Sequence, residues 1–423
     1  MQKHFRGLAI FIACIFAACA VEGEELGPNT DPNSPIVING CDFSVSKIIC
    51  ENVDLSGQDL ANFEMTNANL KGANLKGADL SGVDLTKADL TNANLSGADL
   101  TDADLTEANL TMVNLKDTII SEGTLIDKKW VIVRNLVTSG GVGTVLLGVD
   151  LTGANLIGAD LSGADLTDTV FKECDLSGAS LAGANLNVSD LTDAVLAGAD
   201  LTSARLINSI LQGADLTAAV LDSADLSGAT VKNAVLTKAD LSKADLSKAS
   251  FVQSTLTGAN ITEAILTRAD FTNADCTKAD FTGSDLTNAK MAKAVLTSTT
   301  FTETDCTGID LSGADMVNAT IIDAVFTGGQ LSNCKMVNTL LEGTLFTGTI
   351  LTGSDLTGSD LTGADLTNAK LGGADLTRSI LVNANLTQAL MTSTTLTGVT
   401  WQNTTCPDGS KSSDHGDTCV DNL

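Results

Sequence analysis

The chain has 423 residues, 43% of them apolar but only 3% aromatic, so leucine, alanine and threonine must fill a core that usually depends on aromatic side chains. The formal net charge is −28, which argues against bare nucleic acid or an anionic membrane surface as a partner. Histidine occurs only at His4 and His415, which excludes nearly every histidine-dependent catalytic scheme.

The first twenty residues are predicted to form a signal peptide. Lys3 and Arg6 precede an apolar segment at residues 7–18. This segment is shorter than the roughly 20 residues that a helix needs to span a bilayer, and it suits the apolar region of a signal peptide. No later segment reaches membrane-spanning length. The sequence therefore predicts an exported protein.

Residues 16–19 read Phe-Ala-Ala-Cys and resemble a bacterial lipobox, in which the cysteine becomes the lipidated first residue of the mature protein. Phenylalanine stands where leucine is commonest. This interpretation predicts lipidation of Cys19 and a lipoprotein of the outer membrane or cell envelope. The small residues Ala18 and Ala20 also fit ordinary secretion, which would give a secreted or periplasmic protein.

Residues 21–40 are predicted to form a linker, because they contain three of the four prolines and several acidic residues. Proline and like charge stiffen and extend such a segment. We expect the linker to hold a folded body away from the membrane, which the protein would contact only through its lipid anchor.

Leucine or a substitute recurs at every fifth residue, in one frame from Leu55 to Ile120 and in a second frame from Leu146 to Trp401. A helix cannot use this period, because five residues advance about 500° around its axis. In an extended chain, the leucine and the small residue two positions before it point one way, and the Asp or Asn between them points the other way. The next two residues supply a turn. The pattern predicts a solenoid.

The pentad around Leu100, Ala-Asp-Leu-Thr-Asp, resembles the Ala-Asp/Asn-Leu-x-x motif of the pentapeptide-repeat family. The resemblance implies an all-β fold, a right-handed quadrilateral parallel β-helix with four pentads per turn and one short helical interruption. We assign the first solenoid segment to residues 41–120, the interruption to residues 121–145 and the second segment to residues 146–401. The second segment contains no insertion.

The interruption is predicted to contain a short helix, because Trp130, Val133 and Val137 share one apolar helical face and two glycines follow at Gly140 and Gly141. Two interpretations remain open for this helix. It is either a binding elbow or a packed helix that covers the break in the solenoid.

The cysteines near the two ends are candidates for caps. Cys41 and Cys50 flank the start of the first run and would tie an amino-terminal cap. Residues 401–409, Trp-Gln-Asn-Thr-Thr-Cys-Pro-Asp-Gly, resemble the tails of other exported bacterial repeat proteins. We expect residues 402–423 to form a tail that is closed by a disulfide between Cys406 and Cys419. Because His415 lies between these two cysteines, a zinc site with three ligands is an alternative.

Four internal cysteines occupy inward positions of the repeat, where we expect buried, unpaired thiols. They are Cys174, Cys276, Cys306 and Cys334.

The sequence contains no recognisable catalytic constellation, since its serines and threonines fall at turn positions. We therefore expect a non-enzymatic exported scaffold for protein binding or envelope structure, with no cofactor, metal ion, small-molecule substrate or nucleic acid. The family resemblance implies an alternative, a DNA mimic that interacts with a topoisomerase in the cytosol. Export and a charge more dilute than that of duplex DNA argue against it. A solenoid enzyme acting on polysaccharides is a third hypothesis, but the long loops that would build its groove are missing.

One stretch breaks the rule that Asp or Asn precedes the central residue of each pentad. Val325, Leu340, Leu345 and Ile350 occupy this water-facing position. With four pentads per coil, Leu345 should lie one coil above Val325, with Leu340 and Ile350 on the adjoining faces. We interpret these residues as an interface for a protein partner or for self-association. The alternative is that aliphatic side chains are tolerated here for their strand propensity.

Overall fold

The structure, a computed structural model, describes residues 36–45 and 47–420 and divides into two units, Met1–Arg134 and Asn135–Leu423. In each unit the chain pairs with itself in parallel at a separation of twenty residues, as in the bridges Asn69 to Asp89 and Asp225 to Asp245. Twenty residues contain four pentads, so each coil has four sides. Neighbouring coils stack at about 4.8 Å, the spacing of hydrogen-bonded strands.

Each pentad forms one side and one corner of a coil, as the five residues from Leu95 show. The Ala98 N–H donates to the Leu95 carbonyl at 2.9 Å, and Gly97 between them has φ 68°, as the third residue of a type II turn requires. Leu95 and Ala98 are fully buried, whereas Asp99 is half-buried and faces outward. Burial therefore confirms the predicted inward and outward positions.

The ladder between coils consists of single bridges, because each side of a coil is too short for a longer strand. Asp99 donates its N–H to the carbonyl of Ala78 in the coil below at 3.0 Å, and Leu95 donates to Asn114 in the coil above at 3.0 Å. The core of the first unit is a stack of inward leucines, and in the second unit phenylalanines join the leucines. The rings of Phe251 and Phe271 stack with their centroids 4.6 Å apart.

The two reading frames of the sequence are separated by a single extra residue near Ser121. Bridged residues in the first unit are twenty apart until Asp104, which pairs with Leu125, twenty-one residues later. Ser121 compensates with its side chain, since its Oγ accepts the Asp102 N–H at 3.1 Å. The frame shift is thus complete before the helix begins.

The predicted helix, α1, spans Lys128–Ser139. Its first turn is capped by Asp127, whose Oδ1 accepts the Lys129 N–H at 2.8 Å. It ends before Gly140, which has φ 76°, a left-handed conformation typical of helix ends. Within residues 36–45 and 47–420, no helix is both long enough and apolar enough to cross a membrane.

The apolar face of α1 differs in one residue from the sequence-based expectation. Trp130, Val133 and Leu136 are buried, whereas Val137 is only half-buried. Leu136 therefore extends this face on the side of Val133 away from Trp130, because each step of three residues turns about −60° around the helix.

Within the first unit, α1 also caps the last coil. The Nε and Nη2 atoms of Arg134 both donate to the Thr118 carbonyl, at 2.9 and 2.8 Å. In earlier coils the corresponding carbonyl accepts an N–H from the next coil, so the guanidinium replaces that missing donor. This contact favours the interpretation of the helix as a packed cover.

The amino end of the first unit is a small hairpin of β1, Val37–Ile38, and β2, Cys41–Asp42, paired antiparallel. Asn39 and Gly40 form its turn with φ 50° and 89°, and an Asn-Gly pair with positive φ suits a two-residue hairpin loop. The Asn39 side-chain amide also donates to the Asp54 carbonyl at 2.7 Å, which fastens the hairpin to the first coil.

The carboxyl end of the second unit folds back over the last coil. Lys411 pairs antiparallel with Thr405, and a 3-10 helix follows at Ser412–His415. The Ser412 N–H donates to the Thr404 carbonyl at 2.9 Å. This segment therefore satisfies backbone groups for which no further coil is available.

Candidate interaction surface

The structure brings the four predicted interface residues together on three adjoining faces of the second unit, and we call Val325, Leu340, Leu345 and Ile350 the aliphatic patch. Val325 and Leu345 are directly bridged on one face. Leu340 and Ile350 lie one pentad before and one pentad after Leu345, on the two neighbouring faces. The stacking expected from the repeat is therefore present in the ladder.

Two members of the aliphatic patch are strongly exposed. Leu340 retains 47% of its accessible surface and Leu345 retains 40%, while Val325 and Ile350 are half-buried. Exposed aliphatic residues also occur singly elsewhere on the second unit, for example Ile265 at 45%. The patch differs from these because its members occupy three successive pentads and two successive coils.

Leu390 is a further exposed aliphatic residue that the sequence analysis did not single out, and 59% of its surface is accessible. It lies on the face of Ile350 and pairs with Lys370, which in turn pairs with Ile350. The five-residue frame already assigns it to an outward position, so the same signal that identified the aliphatic patch could have found it.

The backbone beneath the aliphatic patch is held by inward threonines that sequence reasoning did not single out. Thr339 and Thr344 each immediately precede an exposed leucine, and both are fully buried. Their hydroxyls donate to carbonyl oxygens of the coil below, Met316 at 3.0 Å and Ile321 at 2.8 Å. Such buried hydrogen bonds fix the surface above them in one arrangement.

On two of its three faces the carboxyl-terminal border of the aliphatic patch is acidic, whereas Lys370 borders Ile350 on the third face. Asp360 pairs with Leu340 and Asp365 pairs with Leu345, each one coil further along. The Asp360 carboxylate accepts the N–H and the hydroxyl of Thr362 at 3.0 and 2.6 Å. Fixed carboxylates thus stand next to exposed leucines on two faces.

In the first unit, a contact of the same kind lowers the pKa of Asp89. The Thr91 hydroxyl donates to Asp89 at 2.6 Å and the Thr91 N–H donates at 3.0 Å. Hydrogen bonding by the Thr91 side chain is the main reason why the pKa of Asp89 lies below its usual value, while partial burial opposes the shift. The outward carboxylates therefore act as turn caps as well as solvated charges.

The terminal cysteines form two disulfides in the structure. Cys41 is bonded to Cys50 with Cα atoms 5.0 Å apart, and Cys406 is bonded to Cys419 with Cα atoms 5.4 Å apart. The first joins the hairpin to the first coil, and the second closes the tail over the last coil.

The alternative zinc site in the tail is not formed. Cys406 and Cys419 are oxidised to a disulfide, so neither offers the thiolate that zinc requires. The Nε2 atom of His415 instead lies 3.1 Å from the Ser410 hydroxyl. In residues 36–45 and 47–420, no group of three or more His, Cys, Asp or Glu side chains is arranged to hold a metal ion.

The four internal cysteines are buried and form no disulfide. Burial raises the pKa of the Cys334 thiol to about 12, and it also raises the thiol pKa of Cys276 and Cys306. Cys174 and Cys334 each donate to a backbone carbonyl at 2.9 Å. These thiols are structural, because a cysteine buried in apolar surroundings is a poor nucleophile. The remaining predicted site, Cys19, lies outside the described residues.

Both the parallel twenty-residue ladder and the repeating pentad are matched by a known family. The model for pentapeptide repeats matches residues 48–121 and 142–398 in overlapping segments. The chain belongs to the pentapeptide-repeat family. Proteins of this family form right-handed quadrilateral β-helices, which confirms the predicted fold class for the repeat segments. No curated protein matches the chain.

Several solved pentapeptide-repeat structures are similar to this chain. HetL, involved in heterocyst differentiation regulation in the cyanobacterium Nostoc sp. strain PCC 7120, is 26% identical over 66% of this chain and 97% of its own, with a TM-score of 0.18. A thylakoid-lumen protein of Arabidopsis thaliana is 30% identical over 26% of this chain and 73% of its own, with a TM-score of 0.21. QnrB1, a plasmid-mediated fluoroquinolone resistance protein, is 20% identical over 44% of this chain and 91% of its own, with a TM-score of 0.25.

These TM-scores are too low for the neighbours to carry an argument about function. The fold assignment rests on the ladder geometry and on the family match.

Proposed function

We propose that this pentapeptide-repeat protein is an exported, non-enzymatic scaffold that binds a protein partner through the aliphatic patch. The observation that carries the proposal is the pairing of Val325 with Leu345, flanked by exposed Leu340, on a solenoid whose outward positions are mostly polar. Contiguous exposed aliphatic side chains of this kind are typical of protein-binding surfaces.

The charge around the aliphatic patch defines the chemistry of the partner. Asp360 and Asp365 border the exposed leucines, and the whole chain carries a net charge of −28. A second copy of the chain would bring like charges together, which opposes association. The partner should therefore present an aliphatic surface surrounded by lysine or arginine.

The test is a triple substitution at the aliphatic patch, Val325→Asp, Leu340→Asp and Leu345→Asp. Because Asp is the usual residue at this position of the repeat, the variant should fold with an unchanged thermal unfolding midpoint. A partner recovered with the wild-type protein from envelope extracts and then purified should bind the triple variant at least tenfold more weakly, since it loses the apolar contact area.

The matched control is Val220→Asp, Val235→Asp and Val295→Asp, which replaces three aliphatic residues at the same repeat position away from the patch. This variant should bind the purified partner like the wild type. If the wild type, the patch variant and the control variant bind the partner equally, the aliphatic patch is not the binding surface. If the wild-type protein sediments as a dimer and only the patch variant is monomeric, then the partner is a second copy of the chain.

We further propose that a lipid on Cys19 tethers the scaffold to the membrane. The support is the Phe-Ala-Ala-Cys sequence at residues 16–19 and the acidic, proline-containing segment after it. Lipid labelling with cell fractionation should place the wild-type protein in membranes, and Cys19→Ser should release it into the soluble envelope fraction. A mature amino terminus at Val21 would contradict lipidation in favour of secretion. Recovery from the cytosol would contradict export and favour the topoisomerase-binding alternative.

A further inference from the structure

Cations are concentrated at the corners of one part of the second unit. The corner residue with positive φ is a lysine or arginine at six of the twelve corners between residues 238 and 293. At this positive-φ position, no corner between residues 143 and 233 carries a cation, and after residue 293 only Arg378 does so. Residues 232–293 contain eight bases and seven acids, whereas the whole chain has a net charge of −28. Residues 232–293 therefore form a band of the solenoid that is not acidic.

Two of these cations lie next to each other along a single corner. Lys248 and Arg268 are twenty residues apart, so they occupy the same corner in adjacent coils, about 4.8 Å apart along the stack. Together with Thr267, Thr287 and Asn288 they line a shallow groove of about 300 Å³. Both cations are exposed, and the groove continues along the corner past Lys248 toward the preceding coils.

Neither cation of this groove is neutralised by a neighbouring carboxylate. Within residues 47–420, neither Lys248 nor Arg268 forms a salt bridge. The nearest carboxylates along the chain are engaged in turns instead. Asp245 accepts the Ser247 N–H at 2.9 Å, and Asp270 accepts the N–H and hydroxyl of Thr272 at 3.0 and 2.6 Å.

We propose that this groove binds a linear anionic polysaccharide, with its carboxylate or sulfate groups on Lys248 and Arg268. Two successive anionic groups of a ligand lying along the corner meet Lys248 in one coil and Arg268 in the next. The hydroxyls of Thr267 and Thr287 and the amide of Asn288 supply hydrogen bonds for sugar hydroxyl groups.

The lining of the groove favours a glycan over single-stranded nucleic acid. Protein grooves that bind single-stranded nucleic acid without sequence preference stack the bases on aromatic side chains. No aromatic residue lines this groove. The strongly acidic remainder of the chain also repels a long phosphate backbone. A short anionic segment of a polysaccharide would contact only the less acidic band at residues 232–293.

The test is titration calorimetry at low salt with the mature protein and two probes, oligogalacturonate for carboxylates and heparin-derived oligosaccharides for sulfates. At least one probe should bind, and the affinity should fall as salt is added. The double variant Lys248→Gln with Arg268→Gln should bind that probe about tenfold more weakly, because charge-assisted hydrogen bonds are lost. Glutamine already occupies a corner of this kind at Gln253, so the fold should be unaffected.

The matched control is Lys238→Gln with Lys278→Gln. It removes the same charge from another corner, where the two lysines are separated by an intervening coil. This control should keep wild-type affinity. The proposal would be overturned if both double variants lowered the affinity equally or if neither glycan bound. It would also be overturned if an oligothymidylate bound as tightly as the glycan. Binding of only one glycan identifies carboxylate or sulfate as the recognised group.

Discussion

The Thr344 hydroxyl donates to the carbonyl oxygen of Ile321, twenty-three residues earlier, at 2.8 Å. Among the backbone hydrogen bonds of residues 47–420, no turn bond reaches this carbonyl, although the Leu341 carbonyl one coil above accepts one from the Thr344 N–H. Ile321 and Thr344 are both fully buried. The side chain therefore satisfies a carbonyl that would otherwise lack a partner inside the solenoid.

Replacing Thr344 by valine should lower the free energy of unfolding by about 1–3 kcal/mol, because it leaves the Ile321 carbonyl unsatisfied at almost unchanged volume. Thr299→Val is the control. The Cys276 carbonyl loses the Thr299 hydroxyl but keeps the turn bond from Ala279 at 2.9 Å. The control substitution should lower the free energy of unfolding by only about 0.5–1.5 kcal/mol. Urea unfolding measures both, and an equal loss would contradict the assignment.

Replacing Ser379 by alanine should stabilise the protein. The Ser379 hydroxyl is fully buried, and in the described part of the chain it has no hydrogen-bond partner. Removing an unsatisfied buried polar atom should raise the free energy of unfolding by about 1 kcal/mol. Ser354→Ala, at the same inward position, should be destabilising because the Ser354 hydroxyl donates to the Leu331 carbonyl. A loss of stability in both variants would show that the Ser379 hydroxyl is bound after all.

Val188 is a strained corner residue, with φ 59° and 54% of its surface exposed. A β-branched residue is disfavoured in the left-handed region, at a cost of roughly 1–2 kcal/mol. Val188→Gly should therefore stabilise the second unit by about 1 kcal/mol, after allowance for the greater freedom of glycine in the unfolded chain. Asn233→Gly, at φ 56°, should be nearly neutral. Thermal unfolding measures the stability of both variants. If Val188→Gly destabilised the protein, the backbone at Val188 would not be strained.

The contact between Thr91 and Asp89 should make stability depend on pH. The pKa of Asp89 is lower in the folded protein than its ordinary value near 3.8, so this stabilisation is complete above the ordinary pKa and is lost as the pH falls through the folded pKa. Thr91→Val should therefore destabilise the protein at pH 7, and the difference from wild type should shrink as the pH is lowered below 3.8. Urea unfolding at pH 7 and at decreasing acidic pH measures it. A pH-independent difference would contradict this origin.

The inward and outward assignment follows directly from the repeat, because two-residue alternation fixes the direction of each side chain once the period is known. For that reason the sequence located the aliphatic patch to the correct faces, including the stacking of Leu345 on Val325. It did not locate the hydrogen bond from Thr344 to Ile321. A threonine at an inward position looks like a substitute for alanine until the coil below brings a carbonyl within reach.

Sequence alone therefore determined the five-residue period and the polarity of each position, since these depend only on neighbours along the chain. The twenty-residue coil was implied by the family resemblance, and the ladder of bridges shows it. Only the tertiary structure decided how the ends and the break are completed. Ser121 accepts the Asp102 N–H and Arg134 reaches the Thr118 carbonyl because the ladder stops there and leaves backbone groups to satisfy. Such partners depend on distances through space, which no local pattern records.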